Sequence, residues 1–188
     1  MMLFGRSYLE ATEIAGLNSL QELLVNLTDS RLIKFVRAWD AARGADLVPR
    51  WKELDIGLMA SSAPWIWAWE YDRGSGVFRG KLAGEEIINV LGRGFRGALG
   101  HEYFADRGAG IILARYRQII LDRVGLSASG RVFAHAGSSA VGQTLILPVA
   151  TRSQQADTVL GVTVYQFPPP AIGRVKVIAG TEEFFTLE

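Results

Sequence analysis

The 188-residue chain has no cysteine and only two histidines, His101 and His135. Without thiols there can be no disulfide, no thiolate metal site, no cysteine nucleophile and no cysteinyl-flavin photoadduct. Two imidazoles are too few for a histidine-rich metal centre unless carboxylates complete it. Net charge is almost missing too: 20 Lys+Arg stand against 19 Asp+Glu, a formal +1. The chain as a whole therefore has no electrostatic pull toward nucleic acid or an anionic membrane, although a local patch is compatible with that balance. No apolar run reaches the roughly 18 residues of a membrane-spanning helix. The opening MMLFGRSYLEATEIAGL is interrupted by Glu10 and Glu13 and does not read as a signal peptide. The expected location is the cytoplasm.

What is present is a globular balance, 49% hydrophobic and 21% charged, enough for one ordinary domain with extensions. Leu17, Leu20, Leu23, Leu24 and Leu27 form a helical stripe. Thr28, Asp29 and Ser30 offer cap oxygens for a second helix, whose apolar face is Leu32, Phe35, Val36 and Trp39 and whose stop is Gly44. Pro49 opens a short helical turn through Leu54. PWIWAWEYD then alternates, with Trp65, Trp67, Trp69 and Tyr71 on one face, and DRGSG turns it into VFRGKLAG. A short helix, EEIINVL, follows. A longer one over 106–124 carries Ile112, Tyr116, Ile119 and Ile120 on one stripe. Alternation predicts strands near 64–72, 76–83, 130–136, 141–150 and 157–167, with a short strand-like piece at Val175 to Ile178. Strands grouped around helices, rather than alternating with them throughout, predict an α+β fold with an antiparallel sheet.

Gly92, Gly94 and Gly97 spell the G-x-G-x-x-G spacing of a dinucleotide loop. That motif needs a strand before its first glycine and a helix opening at its last, with an acid about 20 residues on at a second strand end. Here a helix precedes Gly92, no clear helix opens at Gly97, and no Lys-Ser or Lys-Thr follows to make a P-loop. The glycines are better read as a helix stop and a turn that use positive φ.

A hairpin ending FRGKLAG, a short helix and then LGRGFRG together resemble the PAS_5 group of bacterial PAS domains. DSRLIKFVRAWDAARG and TLILPVA are similar to it as well, so the likeness runs from about Thr28 to Phe167. The resemblance implies a five-stranded antiparallel sheet of order 2-1-5-4-3 with helices on one face. It divides the chain into an N-terminal helical extension (1–27), a PAS-like domain (28–170) and a tail (171–188). It also implies a sensory or signalling module that binds a small apolar or amphipathic ligand, or a signalling protein, without catalysis. PAS relatives often pair through flanking helices, so a homodimer through residues 17–42 is expected.

The resemblance places a ligand between the long helix and the sheet, near Tyr103, Ile112, Tyr116 and His135, where apolar walls carry a few polar tips. It carries no catalytic residues. Haem is disfavoured because the long helix has no histidine. The tryptophans read as core rather than as a base-stacking platform, since few cations accompany them. Arg115, Arg117 and Arg123 read as a solvated helix face, with an anion site as the minority reading, and Glu85 and Glu86 as first-turn acids favoured by the helix dipole. Ser138 and Ser139, near His135, lack a nucleophile elbow. Two other readings remain: an enzyme or carrier using the same cavity, with His101 and Tyr103 as its polar groups, and a structural dimerisation module with a filled core.

Overall fold

The computed structural model describes residues 18–105, 108–135, 138–152, 154–167 and 180–188, with the side chains of 18, 133–135, 138 and 139 left aside. A two-residue strand β1 (Asn18–Ser19) leads into helix α1 (Leu20–Asn26). A capping box starts α1: the Glu22 N–H donates to Ser19 Oγ at 3.3 Å and the Ser19 N–H donates to Glu22 Oε2 at 3.2 Å. Helix α2 (Ser30–Arg43) is capped by Asp29, which accepts the Arg31 N–H at 2.8 Å and pairs with the Arg31 guanidinium at 2.6 Å. Its stripe of Leu32, Phe35, Val36 and Trp39 is fully buried, and the Trp39 indole N–H donates to the Pro148 carbonyl at 2.9 Å.

Two 3₁₀ turns, Trp51–Glu53 and Ala60–Trp65, lead to the hairpin of β2 (Ile66–Asp72) and β3 (Val77–Ala83). Then come α3 (Glu85–Leu91), the short α4 (Gly100–Tyr103) and the long α5 (Ala109–Asp122). Strands β4 (Gly125–His135), β5 (Ser138–Val149), β6 (Thr158–Gln166) and β7 (Thr181–Thr186) complete the described chain. The sheet order is β1-β7-β4-β5-β6-β2-β3, and every pair is antiparallel except β1 with β7.

The five expected strands form the block β3-β2-β6-β5-β4, which in chain order is 2-1-5-4-3. Strand β7 and then β1 extend it beyond β4. Strand β4 begins at Gly125 rather than near 130, because GLSAS is held by ladders to both β5 and β7. The Val175–Ile178 piece lies outside the described residues. Trp65 also departs from expectation: it ends a 3₁₀ turn instead of joining β2, and lies 4.4 Å under the Arg31 guanidinium.

Helices α4 and α5 provide the expected helical cover, α5 contacting β5 and β6. Strand β6 is buried at every residue from Thr158 to Val164, so both of its faces are covered, and α2 also contacts it. The chain's own core thus takes up the apolar stripe of α2.

The LGRGFRG segment behaves as a clasp. Gly92 ends α3 in the left-handed region at φ 65°, and Gly97 turns at φ 80°. The Gly97 N–H donates to the Gly80 carbonyl at 2.7 Å and the Gly80 N–H donates to the Ala98 carbonyl at 2.9 Å, tying the loop to β3. Arg93 donates to the Tyr103 carbonyl and places its guanidinium 4.2 Å from the Tyr103 ring centroid. The glycines therefore join a helix stop to a strand edge, and the strand-then-helix setting of a dinucleotide loop is not theirs.

Candidate functional site

Two places can serve recognition. The first is the expected one, between α5 and the sheet. Alternation along β2 sends Trp67, Trp69 and Tyr71 to the same side, and rings from other elements meet them there. Trp67 lies 5.5 Å from Tyr116 of α5. Trp69 lies 4.6 Å from Phe95 of the clasp, 5.3 Å from Tyr103 and 5.2 Å from Phe104. Phe104 reaches Tyr116 at 6.1 Å, and Phe78 of β3 reaches it at 5.8 Å. These separations are those of tilted and edge-to-face packing, so the rings form one continuous cluster. Trp67 also donates its indole N–H to Thr163 Oγ1 at 2.9 Å, and Thr163 in turn meets Thr144 at 3.0 Å.

Of the four expected ligand residues, Tyr103 and Tyr116 belong to this cluster and are buried. Burial pushes the Tyr116 phenol far above its ordinary value, which keeps it neutral. Ile112, one turn before Tyr116 on α5, is half buried and packs against the core. His135 pairs with Ser138 at the last rung of the β4–β5 hairpin, and its side chain lies outside the described residues. His101 is exposed, 3.9 Å from Glu102 Oε1. No group of three His, Cys, Asp or Glu able to hold a metal occurs among the described residues. Nor, among them, is any helix long and apolar enough to cross a membrane.

The second place is a cleft of about 450 Å³ at the C-terminal end of α5. Its floor includes Val48, Ile120, Ala150 and Ala156, all buried. Arg50, Arg73 and Arg123 line it, with Asp46 as the one acid. An adjoining hollow of about 400 Å³ shares Arg50, Ala150 and Gln154 and adds Lys52 and Arg152.

The cleft's frame is tied down. The Ala150 N–H donates to the Pro49 carbonyl at 3.0 Å and the Trp51 N–H to the Ala150 carbonyl at 2.8 Å. Asp157 accepts the Thr151 and Arg152 N–H groups at 2.7 and 2.9 Å.

The sequence groups Arg123 with Arg115 and Arg117 on one helix face, and the structure separates them. Arg115 pairs with Glu182 of β7 at 2.5 Å, Arg117 lies 5.7 Å from the Tyr71 ring centroid, and Arg123 ends α5 beside the cleft. The cleft has no signal in the sequence, because its three cations come from three separate stretches of chain with no local spacing to join them.

Residues 27–164 match the family model PAS_5, described as a PAS domain. No curated protein and no solved structure matches the chain.

Proposed function

Because the chain belongs to the PAS_5 family of PAS domains, we propose that it is a sensory or interaction module that recognises its cue by docking, without chemistry. The ring cluster carries this reading. Trp67, Trp69, Phe104 and Tyr116 occupy the space between α5 and the sheet, so a molecule lodging there has to displace close-packed aromatic surface. Recognition by the folded domain then falls to its exterior, and a signalling protein in the cytoplasm is the partner class that fits.

Native mass spectrometry of the purified chain tests it. A mass without bound organic ligand is the expected result. A ligand retained by the wild type and lost from a folded Ile112→Trp variant would overturn the docking reading.

That outcome would support a second reading, a small apolar or amphipathic ligand near Tyr103, Ile112, Tyr116 and His135. Ile112 is the observation in its favour, because its half-buried position leaves the start of α5 less covered than Tyr116.

Homodimerisation joins the proposal in a narrowed form. Leu20, Leu32, Phe35, Val36 and Trp39 of the expected 17–42 surface are buried in the chain's own core, while Val25 is 85% exposed. A dimer through α1 rests on that outward face.

A further inference from the structure

We propose that the cleft at the end of α5 is a binding site for a small phosphorylated organic molecule, with guanidinium groups holding the phosphate and the buried floor accepting the apolar part. This goes beyond the docking reading and does not depend on it.

The volume, about 450 Å³, is within the roughly 300–1,000 Å³ of small-molecule sites. Arg50, Arg73 and Arg123 face a single acid, Asp46, in a chain whose formal net charge is only +1. This local excess of cations is therefore a feature of the cleft and not of the surface at large. The arginines are also available. Arg152, in the adjoining hollow, is paired with Glu70 at 2.7 Å, whereas Arg50 and Arg123 ion-pair with none of the described residues. Arg73 gives one donor to the Ala156 carbonyl at 2.9 Å, which anchors it at the wall, and among the described residues its other N–H groups make no further hydrogen bond. Guanidinium forks match phosphate oxygens in pairs, and several cations together favour a dianion over a monoanion.

The backbone supplies an independent observation. Arg123 sits at φ 53° and ψ 54°, and it is the only non-glycine residue with positive φ among those described. A left-handed helix end is ordinarily glycine, as Gly92 is at the end of α3. Keeping a β-carbon there costs free energy, and the side chain kept at that cost is a cation lining the cleft.

The experiment is calorimetric titration of the full chain with pyrophosphate, AMP and, as the uncharged control, adenosine. Pyrophosphate and AMP are expected to bind with Kd below about 1 mM. Binding should weaken as salt rises, and adenosine should give no measurable heat. Arg123→Gly is the decisive variant, because it relieves the backbone while removing the cation. Its thermal midpoint should be unchanged or higher, yet its affinity for pyrophosphate should fall by about tenfold or more, the loss of a charge-assisted contact. Arg50→Gln should show a similar fall, and Arg96→Gln, exposed and outside the cleft, none. Absence of binding by both pyrophosphate and AMP overturns the proposal, as does wild-type affinity in Arg123→Gly and Arg50→Gln. Equal weakening by Arg96→Gln would show nonspecific charge attraction and overturn it as well. None of these results bears on the ring-filled interior, so the docking reading would survive them.

Discussion

Gly161 is bare because the Trp67 ring stands where its side chain would be. A β-carbon built there meets the indole at 2.3 Å, against a ring fixed by its bond to Thr163 and its contact with Tyr116. Gly161→Ala should therefore destabilise the fold by about 1–3 kcal/mol through overpacking, read as a lower midpoint in urea. Asp29 works by charge rather than by space. Its hydrogen bond to Arg31 is the largest cause holding its carboxyl below the ordinary value of 3.8, opposed by burial and aided by the Arg31 N–H. A carboxyl lowered on folding contributes stability that is present above its unfolded pKa and lost as pH falls through the lower folded one. Asp29→Ala should cost about 0.5–2 kcal/mol at neutral pH, as for other lost N-caps. That cost should begin to shrink as pH falls below about 3.8, the ordinary value, and go on shrinking until the wild-type cap is protonated at its lower folded pKa; denaturant midpoints of both proteins across pH 2–7 measure this. Asp29 and Gly92 were legible in sequence because caps and left-handed stops act within a few residues. Gly161 and Arg123 were not, since each takes its meaning from groups brought to it by distant parts of the chain.

At the scale of elements, β2 and β6 were legible because their side chains alternate or run continuously apolar between turn residues. Strand β7 has neither signal. TEEFFT places Phe184 and Phe185 side by side, and its strand state comes from pairing with β4 along Gly125 to Ser129. The first half of β4 is equally mute, being Gly, Ser and Ala apart from Leu126, and those three have little intrinsic preference for strands. These two weak segments hold each other. Phe185 is 2% exposed and its ring fills the place of a side chain at Gly125, while Glu182 of the same strand pairs with Arg115 of α5. Strand β7 therefore seals the β4 edge and pins the long helix. Phe185→Ala should cost about 3–5 kcal/mol, the range for large aromatic truncation in a core. Because the loss falls on β7, amide exchange should rise first in β7 and in Gly125 to Ser129. A uniform rise across the sheet would show that β7 is not the element released.

At the scale of the whole molecule, the surface decides whether two copies meet, since the ring cluster and the α2 stripe are spent inside one chain. The sequence foresaw an N-terminal helical surface from its leucine spacing, but spacing reports that a stripe exists and not what covers it. Leu20 and Leu27 turn out to be buried within the chain, and β1 pairs with β7. Deleting residues 1–27 would therefore damage the fold along with any interface, and a point change tests association more cleanly. Val25, 85% exposed on α1, is the place for it. If copies pair through this face, Val25 is desolvated on association, and a lysine there would put its ammonium into the contact twice, once from each partner. The wild type should then scatter light with the mass of a dimer, and Val25→Lys with the mass of a monomer. The variant's thermal midpoint at low protein concentration should match that of the wild type, because an exposed helical position tolerates lysine. A wild-type monomer, or a Val25→Lys protein that remains a dimer, would remove α1 from the interface.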